Sequence, residues 1–240
     1  MSTNSYKYLA KRCKVYIEKI DKMSLRFNNI DIVVIDYGMG NLRSVQNALI
    51  RFGVNVNITN DLSKIIKSDA LVLPGVGAFG EAISNLQLLK IIDPIKDQIL
   101  SNKKPILGIC LGMQLLAESS EEKGNHQGLG LIEGTVKKIK TLENHRLPHI
   151  GWNDIKVMKK KPLFNKIISE DAFYFVHSYE FKASKKYISS YTDYGKGITA
   201  SVQKNNIFGV QFHPEKSQTA GLIIIRNFLN YVEQSMKNLC

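Results

Sequence analysis

A chain of 240 residues, 44% hydrophobic and 22% charged, has the balance of an ordinary globular protein and is long enough for one sizeable α/β core. No apolar run approaches the roughly 20 residues of a membrane helix and no signal-peptide h-region opens the chain, so no membrane partner and a cytoplasmic location are expected. The net charge of +12 falls largely in short clusters, Lys137-Lys138, Lys159-Lys160-Lys161 and Lys185-Lys186, without interleaved aromatics. That pattern reads as solvated surface and not as a nucleic-acid footprint, while attraction of a phosphorylated substrate or an acidic partner stays open.

Residues 1–30 carry seven basic and two acidic side chains, a net +5. Leu9, Cys13, Tyr16, Ile17 and Ile20 recur at helical spacing there, which predicts a short basic amphipathic helix. The competing reading is an accessory extension with Met23 as the true first residue. The expected organisation is an N-terminal extension, residues 1–29, followed by one domain, residues 30–240.

Ile30 to Ile35 is an apolar run broken only by Asp31 and predicts a buried parallel strand. Gly38-Met39-Gly40-Asn41 turns into a helix over Leu42 to Phe52. A Gly-x-Gly pair without the third glycine, and with no acidic residue ending the next strand, Val54 to Thr59, does not make a dinucleotide site. A further strand, Ala70 to Leu73, runs into Pro74-Gly75-Val76-Gly77-Ala78-Phe79-Gly80, whose glycines free backbone N–H groups to point at a ligand. Helices are predicted over Ala82–Leu89 and Pro94–Leu100. Alternating strands and helices imply a mostly parallel sheet covered on both faces. In such sheets, reactive loops gather beyond the carboxyl ends of the strands.

Pro105 to Gln114 is the stretch with the strongest chemical signature. An apolar strand closes on Gly108-Ile109-Cys110-Leu111-Gly112, and an apolar-periodic helix follows from Leu111 to Ala117. Gly-x-Cys-x-Gly is the sulfur form of a nucleophile elbow, a strained strand-to-helix turn that lifts a reactive side chain out of the sheet. The positive end of the following helix would favour the thiolate. An inert buried cysteine is the bland alternative. Cys13 and Cys240 lie far away with no metal-type spacing, so a reducing compartment and no metal are expected.

The second half predicts short strands with little helix between them: Gly134–Lys140, Asn153–Met158, Ala172–Val176, Tyr187–Tyr191, Ile198–Val202 and Phe208–Phe212. They read as mixed or antiparallel hairpins extending the sheet. The last strand carries His213 and Glu215 past its end, two residues apart and so able to share a side. His213 as general base and Glu215 as its orienter complete a triad with Cys110. A final helix, Gly221 to Met236, packs Leu222, Ile225, Phe228, Leu229 and Val232 on the domain.

With these residues in place the chain resembles the class I (triad) glutamine amidotransferases over about residues 30 to 235. More narrowly, it is similar to the glutaminase subunits of imidazole glycerol phosphate synthases. Asp36 to Leu42, Pro74 to Phe79, Gly108 to Gln114, Pro148-His149-Ile150-Gly151-Trp152-Asn153, Phe175-Val176-His177-Ser178-Tyr179 and Gln211 to Ser217 carry the narrower match. The resemblance implies a flavodoxin-like sandwich and a reaction with no cofactor. In it, Cys110 attacks the glutamine side-chain amide to give a glutamyl thioester and ammonia, and water activated by the histidine then releases glutamate. It implies an oxyanion hole from the backbone amides of Val76, Gly77 and Leu111, with Gln114, Ser178 and Tyr179 holding glutamine. It also implies a heterodimer with a (β/α)8-barrel cyclase docked over Asn41 and Trp152. The ammonia crosses to that cyclase, which makes imidazole glycerol phosphate and aminoimidazole carboxamide ribotide in histidine biosynthesis. Three other readings remain: a different client, an amidotransferase acting on nucleotide-linked sugars; a free-standing cysteine hydrolase; and a non-catalytic binding module.

Overall fold

The computed structural model describes residues 27–141, 146–168 and 171–238; the basic helix expected between Leu9 and Ile20 lies outside them. In the first half the chain alternates as its apolar runs dictate. The order is β1 (Asp31–Ile35), α1 (Leu42–Ile50), β2 (Asn55–Thr59), α2 (Leu62–Lys67) and β3 (Ala70–Gly75). After these come α3 (Phe79–Leu88), α4 (Ile92–Leu100), β4 (Ile106–Cys110) and α5 (Leu111–Leu115). The second half holds β5 (Ser119–Ser120), β6 (His126–Gln127), β7 (Gly134–Lys138), β8 (His149–Asp154), β9 (Lys156–Val157), β10 (Ala172–His177) and β11 (Tyr179–Ala183). It ends with β12 (Ile188–Thr192), β13 (Ile198–Lys204), β14 (Ile207–Val210) and α6 (Gln218–Lys237). Among the described residues no helix is long and apolar enough to cross a membrane.

An eight-stranded sheet in the order β2-β1-β3-β4-β14-β13-β12-β9 is the spine, parallel from β2 to β14 and antiparallel from there to β9. Because side chains alternate across a strand, the buried runs feed two cores. Ile32, Val34, Val72, Leu107 and Ile109 face one, with Phe208, Phe228 and Leu229. Val33, Ile35, Leu71, Leu73 and Ile106 face the other, with Ile83, Leu86 and Ile95. Phe27, assigned to the extension on sequence, is already in the first core, edge-on to Phe52 at 6.5 Å.

Register places the chemistry. Gly75 at the end of β3 is the ladder partner of Cys110 at the end of β4, and Val210 of β14 is paired with Ile109. The glycine loop after β3 and the chain after β14 therefore emerge on either side of the cysteine.

Two readings of the second half are corrected. The strand expected over Asn153–Met158 is two, because the chain breaks at the buried Ile155 between β8 and β9. Gly134–Lys138 and Ala172–His177 do not extend the main sheet. The first pairs with β11 in a separate four-stranded sheet and the second with β8 in a two-stranded one. The strand containing Phe208 joins the sheet parallel to β4, although it follows an antiparallel partner in sequence. Of the apolar residues expected to pack from α6, four are fully buried and Leu222 partly so.

Candidate active site

Cys110 sits where β4 meets α5 with φ 55° and ψ −110°, a conformation that costs a non-glycine residue strain and persists only where the surroundings hold it. The holding is steric. A Cβ on Gly112 would lie 1.6 Å from the Leu73 carbonyl oxygen, and one on Gly108 would lie 2.6 Å from that of Gly112. The elbow thus closes only with glycine on both sides. The helix behind it is shorter than the expected Leu111 to Ala117, five residues in all, so its dipole is a minor source of thiolate stabilisation.

His213 and Glu215 meet by a different route from the one inferred on sequence. β14 ends at Val210, and the two residues are joined by the 3-10 turn Pro214–Lys216 and not by strand alternation. His213 N–H donates to the Tyr174 carbonyl at 2.9 Å, and Ser217 Oγ donates to the His213 carbonyl at 2.6 Å. Held this way, His213 Nδ1 lies 2.8 Å from Glu215 Oε1, with both side chains almost fully buried. The ring's other nitrogen, Nε2, has no hydrogen-bond partner among the described residues. Burial, the largest influence on this ring, opposes its charge. The Cys110 sulfur and the Glu215 carboxylate outweigh burial and push the imidazole up to about 10. A ring in that state is an imidazolium at neutral pH.

A cleft of about 420 Å³ opens over Cys110, and its lining includes Val76, Gly77, Leu111, Gln114, Ser178 and Tyr179. Seven of the residues singled out on sequence thus meet in one cavity, with His213 and Glu215 buried behind the cysteine. Gly77, at φ 102°, is in a conformation that suits glycine, and a Cβ there would strike the Met39 methyl at 2.6 Å. Glu122 and Lys123 also line the cleft, giving it one carboxylate and one ammonium, the pair that complements the charged end of an α-amino acid. Glu122 Oε2 additionally accepts from the Phe79 N–H at 2.9 Å, tying the first turn of α3 to the cleft wall.

The two residues expected at a partner face lie elsewhere. Asn41 lines a separate polar groove of about 630 Å³ with Asp36, Arg43 and Gln46. Trp152 on β8 is 46% exposed and meets Tyr174 edge-on at 5.9 Å, and Tyr174 lies 6.3 Å from the His213 ring. The tryptophan is therefore a surface aromatic two rings from the candidate base.

Besides Glu122 and Lys123, sequence reasoning missed the side chains that brace this site. Tyr37 is buried, donates to the Pro74 carbonyl at 2.8 Å and would collide with any Cβ on Gly75, so it braces the start of the glycine loop. Burial, reinforced by the charge at Cys110, pushes its phenol well above the ordinary range. His177 is held down to about 3, chiefly by burial, and is neutral. Its Nδ1 lies 2.8 Å from the Tyr179 carbonyl, which only accepts, so Nδ1 carries the proton. His177 Nε2 must then accept from His149 Nδ1 at 3.0 Å, and His149 Nε2 accepts from Asn153 Nδ2 at 2.6 Å. On its other side the Tyr179 carbonyl accepts from Gln114 Nε2 at 2.9 Å, and that same amide nitrogen lies 3.0 Å from Gln211 Oε1. His149, His177 and Gln211 stood inside quoted segments, but no periodicity or spacing marks them as partners; the only signal was polar residues at strand positions that must be buried.

The class-I glutamine amidotransferase family matches residues 33–231 of this chain. The chain belongs to it. At the level of individual relatives, it is 46% identical to imidazole glycerol phosphate synthase subunit HisH 1 of Campylobacter jejuni (strain RM1221), over 82% of this chain and 98% of that one. It is 44% identical to the HisH subunit of Pelagibacter ubique (strain HTCC1062), over 84% of this chain and 100% of that one. The fold is shared with PurLQS from Thermotoga maritima at a TM-score of 0.65 and 20% identity, covering 85% of this chain and 99% of that one. The eight-stranded α/β architecture is thus that of the family, as expected on sequence.

Proposed function

We propose that this chain is the glutaminase that supplies ammonia for imidazole glycerol phosphate synthesis in histidine biosynthesis, with residues 30–240 as the catalytic unit. Glutamine hydrolysis is the activity of its family. The observation that carries the residue roles is Cys110 on a strained elbow beside a buried His213–Glu215 pair. The Cys110 thiolate attacks the side-chain carbonyl carbon of glutamine, and the negative charge moves to the carbonyl oxygen. The N–H groups of Val76, Gly77 and Leu111, at the cleft floor, stabilise that oxyanion. As the tetrahedral intermediate collapses, the C–N bond breaks and the His213 imidazolium gives its proton to the leaving nitrogen, releasing ammonia and leaving a glutamyl thioester. Neutral His213 then takes a proton from water, the hydroxide adds to the thioester, and the C–S bond breaks to regenerate thiolate and imidazolium with release of glutamate. Glu215 stays ionised and holds the ring. Gln114, Ser178 and Tyr179 hold glutamine in the cleft, whose lining also includes Glu122 and Lys123.

The client is a (β/α)8-barrel cyclase docked over Asn41 and Trp152, in a heterodimer. Neither the nucleotide-sugar client nor a free-standing hydrolase is favoured, since the HisH relatives align over nearly their whole length. The test is division of labour. Cys110→Ala should abolish glutamine-dependent synthesis by the complex and leave synthesis from added ammonium intact. Glutamine turnover near the wild-type rate in the alanine variant would remove Cys110 from the mechanism.

A further inference from the structure

We infer that Gln211 is a positioning residue for the Cys110 thiolate, its side-chain amide held with N–H toward the sulfur. This rests on the glutaminase reading and adds to it a residue that sequence reasoning left without a role. Gln211 is fully buried, follows the last paired residue of β14, and by register stands beside the elbow. Its Nε2 lies 3.8 Å from Cys110 Sγ, a length consistent with the large radius of sulfur.

The orientation of the amide is dictated by its neighbours. The Tyr179 carbonyl can only accept, so the Gln114 group facing it at 2.9 Å is the NH2. That NH2 also faces the Gln211 side chain at 3.0 Å, and only an oxygen there avoids donor against donor. Gln211 therefore turns its oxygen to Gln114 and its own NH2 to the sulfur. The thiol form of Cys110 has an acceptor within reach in the Val176 carbonyl, at 3.9 Å. The Gln211 donor favours the thiolate instead, and it is a neutral donor that persists when His213 has given its proton away.

This also refines the part played by Gln114. Both of its N–H groups are engaged by the protein, so only its oxygen is left to face glutamine.

The experiment is the pH dependence of Cys110 alkylation by iodoacetamide, read on the Cys110 peptide by mass spectrometry so that Cys13 and Cys240 do not interfere. It uses the full-length chain and the neutral variants Gln211→Met and Gln211→Leu. The groups that bear on the sulfur's charge are His213 with Glu215 behind it and Tyr37, while Glu122 and Lys123 line the same cleft; none is altered in the variants. Loss of one hydrogen bond to a charged group should raise the midpoint of thiolate formation and lower the neutral-pH alkylation rate by about tenfold to a hundredfold. Glutaminase kcat should fall in step, with KM changed by less than about twofold. Gln211→Leu likewise removes the donor without adding a charge, so it carries the same reading should Gln211→Met fail to fold. Folded variants that titrate like the wild type overturn the inference. A raised midpoint in a chain that hydrolyses no glutamine would overturn the glutaminase reading and leave this one standing.

Discussion

The cleft has two walls built on different principles. One is the carboxyl edge of the parallel sheet, where Val76, Cys110 and Leu111 are placed by main chain: Gly75 opposite Cys110 in the ladder, and an elbow that only glycines permit. The other is the junction of β10 and β11, Val176 to Tyr179. Its strands are laddered to β8 and β7 outside the main sheet, and side chains tie them to the site: the His149–His177 pair, and the Tyr179 carbonyl between His177 and Gln114. The covalent chemistry proposed for Cys110 is on the wall that cannot shift without breaking buried strands. The wall toward Trp152 rests on small separate sheets and a side-chain network, so a change in hydrogen bonding can reach it without disturbing the main sheet. A rigid nucleophile facing an adjustable wall suits an enzyme whose substrate has to be gripped before attack.

Changes that act directly on the rigid wall's chemistry should have the largest effect. His213→Asn removes the proton carrier and should lower glutamine turnover by about 10²–10⁴-fold. Glu215→Gln should cost less, because the ring stays in place and loses only its charged acceptor. Equal, negligible effects in a steady-state assay would sink the triad assignment. The same pair makes a pH prediction. The folded protein holds His213 up to about 10, against an ordinary 6.5. Its contribution to stability is therefore complete below about 6.5 and is lost as pH rises through about 10. The difference in Tm between wild type and His213→Asn should shrink across that window, and kcat should decline on the same alkaline limb as the imidazolium loses the proton owed to ammonia.

A steric break in the same wall should have an intermediate effect. Gly112→Ala drives a methyl group to 1.6 Å from the Leu73 carbonyl oxygen, so β3 or the elbow must move. Overpacking of this kind costs about 1–3 kcal/mol, and a domain of this size loses roughly 2–4 °C in Tm per kcal/mol. Thermal melts should show that loss together with reduced alkylation of Cys110. An unchanged melt and unchanged reactivity would mean that the elbow is softer than its geometry implies.

The contrast between the walls also explains what was legible in the sequence. Continuous apolar runs such as Leu71-Val72-Leu73 and Ile106-Leu107 can only be buried strands, and glycines around a cysteine can only mark a tight turn, so the parallel wall and the elbow at Cys110 were readable residue by residue. The side-chain wall was not. Tyr179–Ala183 pairs with Gly134–Lys138 more than forty residues away, and no local pattern announces that partner. Gln211 acquires its role from Gln114, 97 residues earlier, and His177 from His149, 28 residues earlier. Donor and acceptor roles arise only when the fold brings the groups together. The expectation that His213 and Glu215 stand side by side holds for a different reason from the one inferred, since they meet in a turn and not along a strand.

The smallest effect on the isolated chain should come from the adjustable wall's outer edge. Trp152 is about half exposed and meets Tyr174 along one edge, so truncating it removes little from the core. Trp152→Ala should cost about 1 kcal/mol of stability or less. The same side chain heads the partner face proposed here, where large exposed aromatics carry a disproportionate share of binding energy; truncation of such a residue costs 2 kcal/mol or more, a thirtyfold or greater loss of affinity. Titration calorimetry with the barrel cyclase should therefore show association weakened by roughly that factor, while the melting curve of the free chain moves only a few degrees. The side chain that matters least to the fold would then matter most to the complex. If affinity is unchanged and the melt falls sharply instead, Trp152 is a packing residue, and the cyclase docks on another face.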